Sequence, residues 1–239
     1  ICMYIEGIEQ GRKFLETAKS CKKPVIVVKG GTTEAGHKAT LSHTGSLAGS
    51  AEVYFGAFKQ ANIITAKSLQ EMFDIARILE KDIEITGKRV QVLTNGGGYG
   101  IMATDTLIKQ GLIMTEMEKN SIKQLKKSFP EIVVVKNPID LTGESRAEWY
   151  QVSLESILKD KNVDAVLIVL LYQTPHIDPK VVDLISSSLK ESKKPTVVVS
   201  VGGHYTETLK RDLEDQGVVC FDSPERAANA LAKALQYKG

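Results

Sequence analysis

Apolar residues concentrate along the chain in short strand-like runs: Val25 to Val28, Val90 to Thr94, Val163 to Leu171, Thr196 to Val201 and Val218 to Phe221. Val25 to Val28 lacks polar alternation and so predicts a strand buried on both faces, as in parallel sheets. Ile1 to Ile5, Ile63-Ile64 and Leu112 to Met114 add shorter strand signals. Between them apolar positions recur at helical spacing, first through Phe14, Leu15 and Ala18 within Glu9 to Ser20. Further helices are expected over Ala51 to Gln60, Ser68 to Lys81, Ile101 to Gln110, Glu116 to Phe129, Ala147 to Lys159, Pro179 to Glu191, Thr206 to Gln216 and Pro224 to Tyr237. Ser68-Leu69-Gln70-Glu71 has the form of a capping box, and Ser223-Pro224 that of an N-cap followed by proline in the first turn.

Strands alternating with helices imply an α/β fold, its parallel sheets covered on both faces and joined by right-handed crossovers. The polar stretch Asp82 to Lys88, with Gly87 inside it, divides the pattern into a first domain, 1–85, and a second, 86–239. The second has five strand signals, for which the flavodoxin-like order 2-1-3-4-5 is the simplest arrangement. In that order a ligand crevice opens at the carboxyl ends of strands 1 and 3. Residues 30–42, rich in Gly and Thr, read as a long loop, and long loops in compact domains are disproportionately functional.

The 239 residues are 42% hydrophobic and 25% charged, the balance of an ordinary globular protein. A formal charge of +2 gives no electrostatic case for nucleic acid or an anionic membrane. Three widely spaced cysteines, Cys2, Cys21 and Cys220, fit neither a disulfide framework nor, with the histidines, a zinc site, so no metal is assigned to the chain. With no bilayer-length apolar run and no signal peptide, the expected setting is cytoplasmic. The chain opens in an apolar run without an initiator methionine, which leads us to expect a piece of a longer protein with its first domain incomplete.

Two stretches carry candidate chemistry. In Ser42-His43-Thr44-Gly45-Ser46-Leu47-Ala48-Gly49 one imidazole sits among hydroxyls and glycines. A neutral imidazole is a competent nucleophile near pH 7, and small neighbours such as Thr44, Gly45 and Ser46 admit a phosphoryl group. A polar loop with a surface histidine is the plainer alternative. The second stretch is Asn95-Gly96-Gly97-Gly98-Tyr99-Gly100, following a strand and opening a helix. Glycines there let successive N–H groups converge on an anion at the helix start, although a packing role alone would also explain them. Glu6, at its strand's carboxyl end, is positioned to hold the far ring nitrogen of His43 or else is a solvated strand-end residue. His37 competes for the nucleophile role in a poorer cradle, while His176 and His204 read as loop residues near the crevice. Asn137-Pro138-Ile139-Asp140 is either turn chemistry or a further wall of that crevice.

Together with Tyr4-Ile5-Glu6-Gly7-Ile8 and Lys29-Gly30-Gly31, these motifs occur in an order and spacing that resembles the α part of ADP-forming acyl-CoA synthetases, relatives of succinyl-CoA synthetase. The resemblance covers essentially the whole chain. It implies succinyl-CoA-synthetase-type flavodoxin-like domains, and an activity interconverting acyl-CoA, phosphate and ADP with carboxylate, CoA and ATP. It implies that the phosphoryl group travels transiently on His43, that Glu6 braces that ring, and that the turn ending at Gly100 holds phosphate. A CoA-binding Rossmann domain, an ATP-grasp subunit or domain holding Mg2+ with ADP or ATP, and an oligomeric assembly are implied as partners. The chain departs from the family in carrying Gly-Gly-Gly-Tyr-Gly where Ala-Gly-Gly-Pro-Gly is common. A non-catalytic module that senses acyl-CoA or nucleotide, or accompanies an acyltransferase, is the alternative, disfavoured because such a module needs neither His43 nor Glu6. A flavin binder is disfavoured by the scarcity of aromatics near the glycines.

Overall fold

The computed structural model describes residues 1–44 and 49–237, without the side chains of Leu41, His43 and Thr44. It forms two compact units, Ile1–Glu80 and Lys81–Leu235. The first contains β1 (Cys2–Ile5), α1 (Gly11–Ser20), β2 (Ile26–Lys29), α2 (Glu34–Thr44), α3 (Ala51–Gln60), β3 (Ile64–Ala66) and α4 (Leu69–Leu79). Its sheet is parallel, in the order β1-β2-β3. Buried on both faces, β2 matches its unbroken apolar run, whereas β1 alternates exposed and half-buried positions. One face packs Val25, Val27 and Ile63 around Phe58, whose ring meets Phe14 at 6.2 Å and Tyr54 at 5.8 Å. On α4, Met72, Ile75 and Ile78 are buried. Ser68 caps that helix by accepting the Glu71 N–H at 3.1 Å. The Glu71 carboxylate reaches back one residue further than a capping box requires, to the Lys67 N–H.

The expectation of a loop over 30–42 is corrected: most of that stretch is α2. Thr33 starts the helix by accepting the Gly36 N–H at 3.1 Å, and Glu34 pairs with Lys38 one turn on at 2.9 Å. These local signals outweigh the poor helix propensity of Gly36 and Thr40. The chain leaves β2 through Gly31, at φ +66°, where a Cβ would lie 2.7 Å from the Thr40 hydroxyl.

The second unit contains β4 (Arg89–Thr94), α5 (Gly97–Lys109), β5 (Ile113–Met114), α6 (Lys119–Ser128), β6 (Val134–Val135), β7 (Ile139–Asp140), α7 (Ala147–Lys159), β8 (Ala165–Val169), α8 (Val181–Leu189), β9 (Thr196–Val199), α9 (His204–Asp215), β10 (Val219–Phe221) and α10 (Pro224–Ala234). The parallel succession β5-β4-β8-β9-β10 is the flavodoxin-like order read from the sequence. The short antiparallel ribbon β6–β7 was not anticipated. It joins the same edge of β4 that β5 uses: β5 pairs with Arg89 and Val90, β7 with Leu93 and Thr94. Asn137 bridges the gap, its amide N–H groups donating to the Val90 and Thr115 carbonyls at 2.7 and 3.0 Å while its oxygen accepts the Val92 N–H at 3.0 Å. One side-chain amide thus stands in for a missing peptide unit and leaves the buried β4 edge satisfied. The Asn-Pro pair is therefore more than a plain turn, since Asn137 completes the edge of the sheet.

At the amino ends of β4 and β8, Asp164 accepts from the Arg89 N–H at 2.8 Å, from the Arg89 guanidinium at 2.9 and 3.0 Å, and from Thr86 at 3.1 Å. The hydrogen bonds from Arg89, first among the causes, hold the Asp164 carboxyl below the usual carboxylate range.

Candidate functional site

The glycine turn lies at the carboxyl end of β4, but α5 begins at Gly97, four residues before the apolar periodicity does. Glycine carries no periodic signal and is a poor helix former, so the pattern hid the first turn. Thr94 ties the entrance, its hydroxyl accepting the Gly96 N–H and donating to the Gly96 carbonyl, both at 2.9 Å. Gly96 stands at the N-cap without a side chain to cap the helix, and the first turn holds no acidic residue. Its early N–H groups therefore point outward with the positive end of the helix dipole.

The glycines divide by what surrounds them. A Cβ on Gly96 would lie 2.4 Å from Leu171, one on Gly97 2.8 Å from the Asp140 carboxylate, and one on Gly100 3.0 Å from the Thr94 methyl. Gly96 and Gly97 thus face side-chain ends that a Cβ would displace, and Gly100 stands where helix and strand are in close contact. Gly98 is exposed and a Cβ there would meet nothing within 4 Å, so nothing in the fold demands glycine. Asp140, from β7, is the nearest internal anion, and one of its oxygens accepts the Thr142 N–H at 2.8 Å.

Asn95, read from the sequence as a phosphate contact, is buried and its amide is engaged within the protein. Its oxygen accepts the Leu171 N–H at 2.8 Å, and its nitrogen donates to the Leu171 carbonyl at 3.0 Å and to Thr174 at 3.1 Å. Gln173 repeats the device one strand over, donating to the Val201 carbonyl at 2.8 Å and Thr206 at 2.9 Å. Sequence reasoning did not find Gln173; its signal is an amide residue just past a buried strand. Tyr99 is half-buried in the first turn of α5.

In the first unit Glu6 lies just past β1, half-buried, accepting from the Tyr4 hydroxyl at 3.2 Å. Burial and this carboxylate push the Tyr4 phenol above its ordinary range. The backbone of His43 belongs to the last turn of α2, and Thr44 ends that helix. Gly45 and Ser46, and the side chains of His43 and Thr44, lie outside the described residues. His37 is on α2 as well, His204 opens α9, and His176 pairs with Glu144 at 3.2 Å. Two further residues went unnoticed as site components. Lys29, at the end of β2, is buried, and its Nζ lies 4.7 Å from the centre of the Tyr54 ring.

Among the described residues no three His, Cys, Asp or Glu side chains gather as a metal site requires, and no helix is long and apolar enough to cross a membrane. Residues 1–79 match a succinyl-CoA ligase like flavodoxin domain and residues 90–237 a Ligase-CoA domain. Over 99% of its length the chain is 40% identical to the α subunit of acetate–CoA ligase [ADP-forming] I from Pyrococcus furiosus, of which it covers 52%. It is 36% identical to the α subunit of isozyme II from the same organism, covering 53% of it. Among solved structures, the dinucleotide forming acetyl-coenzyme A synthetase 1 of Ca. Korarchaeum cryptofilum, in complex with phosphate and ADP, superposes with a TM-score of 0.92 at 38% identity. That match covers 99% of this chain and 52% of the other. The chain spans about half the length of these relatives.

Proposed function

The chain belongs to the succinyl-CoA ligase superfamily, and on that premise we propose that it is the phosphohistidine-carrying part of an NDP-forming acyl-CoA synthetase. The net reaction converts acyl-CoA, ADP and phosphate to carboxylate, ATP and CoA. The observation that carries the reading is the start of α5: a helix with no side-chain cap and an open Gly98 at its mouth. Such a terminus supplies preorganised N–H donors for phosphate oxygens without reorganisation. Gly97, Gly98 and Tyr99 present them, Gly96 and Gly100 permit the close packing that aims them, and Asn95 fixes the turn.

His43 is the phosphoryl carrier in this reading, its ring nitrogen attacking phosphorus, and Thr44, Gly45 and Ser46 belong to the cradle around it. Glu6 braces the ring, fixing the tautomer and stabilising the charged phosphoimidazole. The nucleotide, with its Mg2+, and the CoA nucleotide are held by complementary parts, an ATP-grasp part and a Rossmann domain; the Korarchaeum relative, about twice as long and solved with phosphate and ADP, supports this division. The enzyme assembled from these parts is oligomeric and works in the cytoplasm, and this chain alone is inactive.

The test supplies the assembled enzyme with MgATP and measures acid-labile, alkali-stable phosphate on the chain. Wild type is expected to carry it, His43→Asn to carry none while keeping its fold, and Glu6→Gln to acquire it about 10- to 10⁴-fold more slowly. Labelling that persists in His43→Asn and vanishes in His37→Asn would move the carrier to His37. No labelling of wild type would leave a sensing module.

A further inference from the structure

Three of the four residues of β2 are apolar and buried, and the fourth, Lys29, is buried to the same degree at 7% exposure. A methionine would fill that position without removing an ammonium ion from water, a step that is costly for any buried charge. Burial duly lowers the Lys29 pKa, and attraction to the Glu6 carboxylate works against that shift. The ammonium forms no ion pair with a carboxylate among the described residues. It donates instead to the main-chain carbonyl of Glu6 at 2.8 Å and to that of Gly30, and rests over the Tyr54 ring at 4.7 Å. The Tyr54 hydroxyl, in turn, accepts the Ile8 N–H at 3.0 Å.

These contacts enclose one short segment. Ile5 pairs with Lys29 in the sheet register, so the chain leaves β1 beside the lysine. The Glu6 carbonyl is then tied from one side by Lys29 and the Ile8 N–H from the other by Tyr54, with ammonium and ring in contact. We infer that Lys29 and Tyr54 are positioning residues for Glu6, a cation–π bracket that fixes the Glu6-Gly7-Ile8 turn and so the direction in which the carboxylate is presented. The inference rests on the proposed role of Glu6. Neither residue touches a reacting atom: Lys29 acts through the Glu6 backbone and through its charge near the carboxylate, Tyr54 through Ile8 and the lysine. A cation–π contact of this kind is stronger when withdrawn from water, as the buried Lys29 is.

The experiment uses the assembled enzyme with Lys29→Met, Lys29→Arg, Tyr54→Phe and Tyr54→Leu, and two readouts. Amide hydrogen exchange at Gly7 and Ile8 reports on the bracket without reference to catalysis. Single-turnover formation of acid-labile phosphate at His43 is measured beside the KM for phosphate. Lys29→Met and Tyr54→Leu are expected to speed exchange at both amides and to slow phosphohistidine formation, each about tenfold or more, with the KM for phosphate changed less than about twofold. Lys29→Arg should recover part of the rate, and Tyr54→Phe, keeping the ring, should lose protection mainly at Ile8. Wild-type exchange in both Lys29→Met and Tyr54→Leu would overturn the bracket, and wild-type phosphorylation in both would overturn its link to Glu6. Should Lys29→Met fail to fold, Tyr54→Leu decides alone. Wild-type enzyme that takes no phosphate on His43 would defeat the functional reading, and the exchange measurement would still decide the bracket.

Discussion

At the carboxyl end of β4 the chain turns through glycines into α5, and at the end of β2 it turns through Gly30 and Gly31 into α2. The two turns look alike in sequence, yet their helix starts differ. That of α2 is occupied from within, Thr33 accepting the Gly36 N–H and Glu34 placing a carboxylate in the first turn. That of α5 has glycine at its cap and no acid in its first turn. Ser68 and Ser223 cap α4 and α10 as Thr33 caps α2. Glycine between strand and helix therefore does not mark an anion site. Nor does a missing side-chain cap by itself, since the starts of α1, α3 and α6 to α9 lack one as well. On the proposed reading, what sets α5 apart is the open Gly98 at its mouth beside the closely packed Gly96 and Gly97.

The strongest way to break this contrast is to loosen the β4 turn. Asn95→Ala removes three hydrogen bonds and leaves the Leu171 N–H and carbonyl without their amide partner. Buried groups stripped in this way cost about 1–3 kcal/mol each, so a total of about 3 kcal/mol is expected, read as a fall in the urea midpoint at constant slope. The KM for phosphate should rise in the same variant, because the donors lose their fixed aim. The capped turn gives the counterpart. Thr33→Ala should cost about 1 kcal/mol in urea unfolding and leave the KM for phosphate unchanged, since the start of α2, which Thr33 caps, has no part in the proposed phosphate site. A phosphate effect at Thr33 equal to that at Asn95 would erase the distinction.

How much of this could be read from the chain follows the same physics. The flavodoxin-like strand order was legible because Val90 to Thr94, Val163 to Leu171 and Thr196 to Val201 are largely apolar and alternate with helical periodicity, the rhythm of a doubly covered parallel sheet. The helix Ala147–Lys159 was legible to the residue from its periodicity. The β6–β7 ribbon was hidden, because strands of two residues held by the Asn137 amide leave no pattern. The start of α2 was hidden behind Gly36 and Thr40, although Thr33 and Glu34 carried its cap and first-turn charge. The glycine turn was visible as a candidate, but only the surroundings of each Cα separate the packing glycines from Gly98. Asn95 was legible only as part of the glycine turn; that its side chain is spent on the backbone of Leu171 and the hydroxyl of Thr174 is a tertiary fact. Lys29 stood in the Lys29-Gly30-Gly31 motif without a role of its own, because a lysine ending an apolar strand usually means solvent, and its burial is a tertiary fact.

The smallest expected change in stability is also the sharpest probe. Gly98 lies in the first turn of α5, its φ outside the left-handed region and its Cβ position open. Gly98→Ala should therefore stabilise the fold slightly, by up to about 0.5 kcal/mol, since alanine gives up less backbone entropy than glycine in a helix. Gly100→Ala should destabilise instead, because its Cβ would press the Thr94 methyl at 3.0 Å, where helix and strand are in contact and neither can yield freely. Phosphate should report the opposite order of severity. A methyl on Gly98 stands at the mouth of the helix, where an oxyanion must approach the N–H groups, and about 3 kcal/mol can ride on a single such donor. The KM for phosphate in Gly98→Ala is accordingly expected to rise about tenfold or more, while the urea midpoint stays or climbs. Phosphate kinetics unchanged in a fold-competent Gly98→Ala would mean that this glycine is an accident of the turn, and the anion would have to be sought elsewhere.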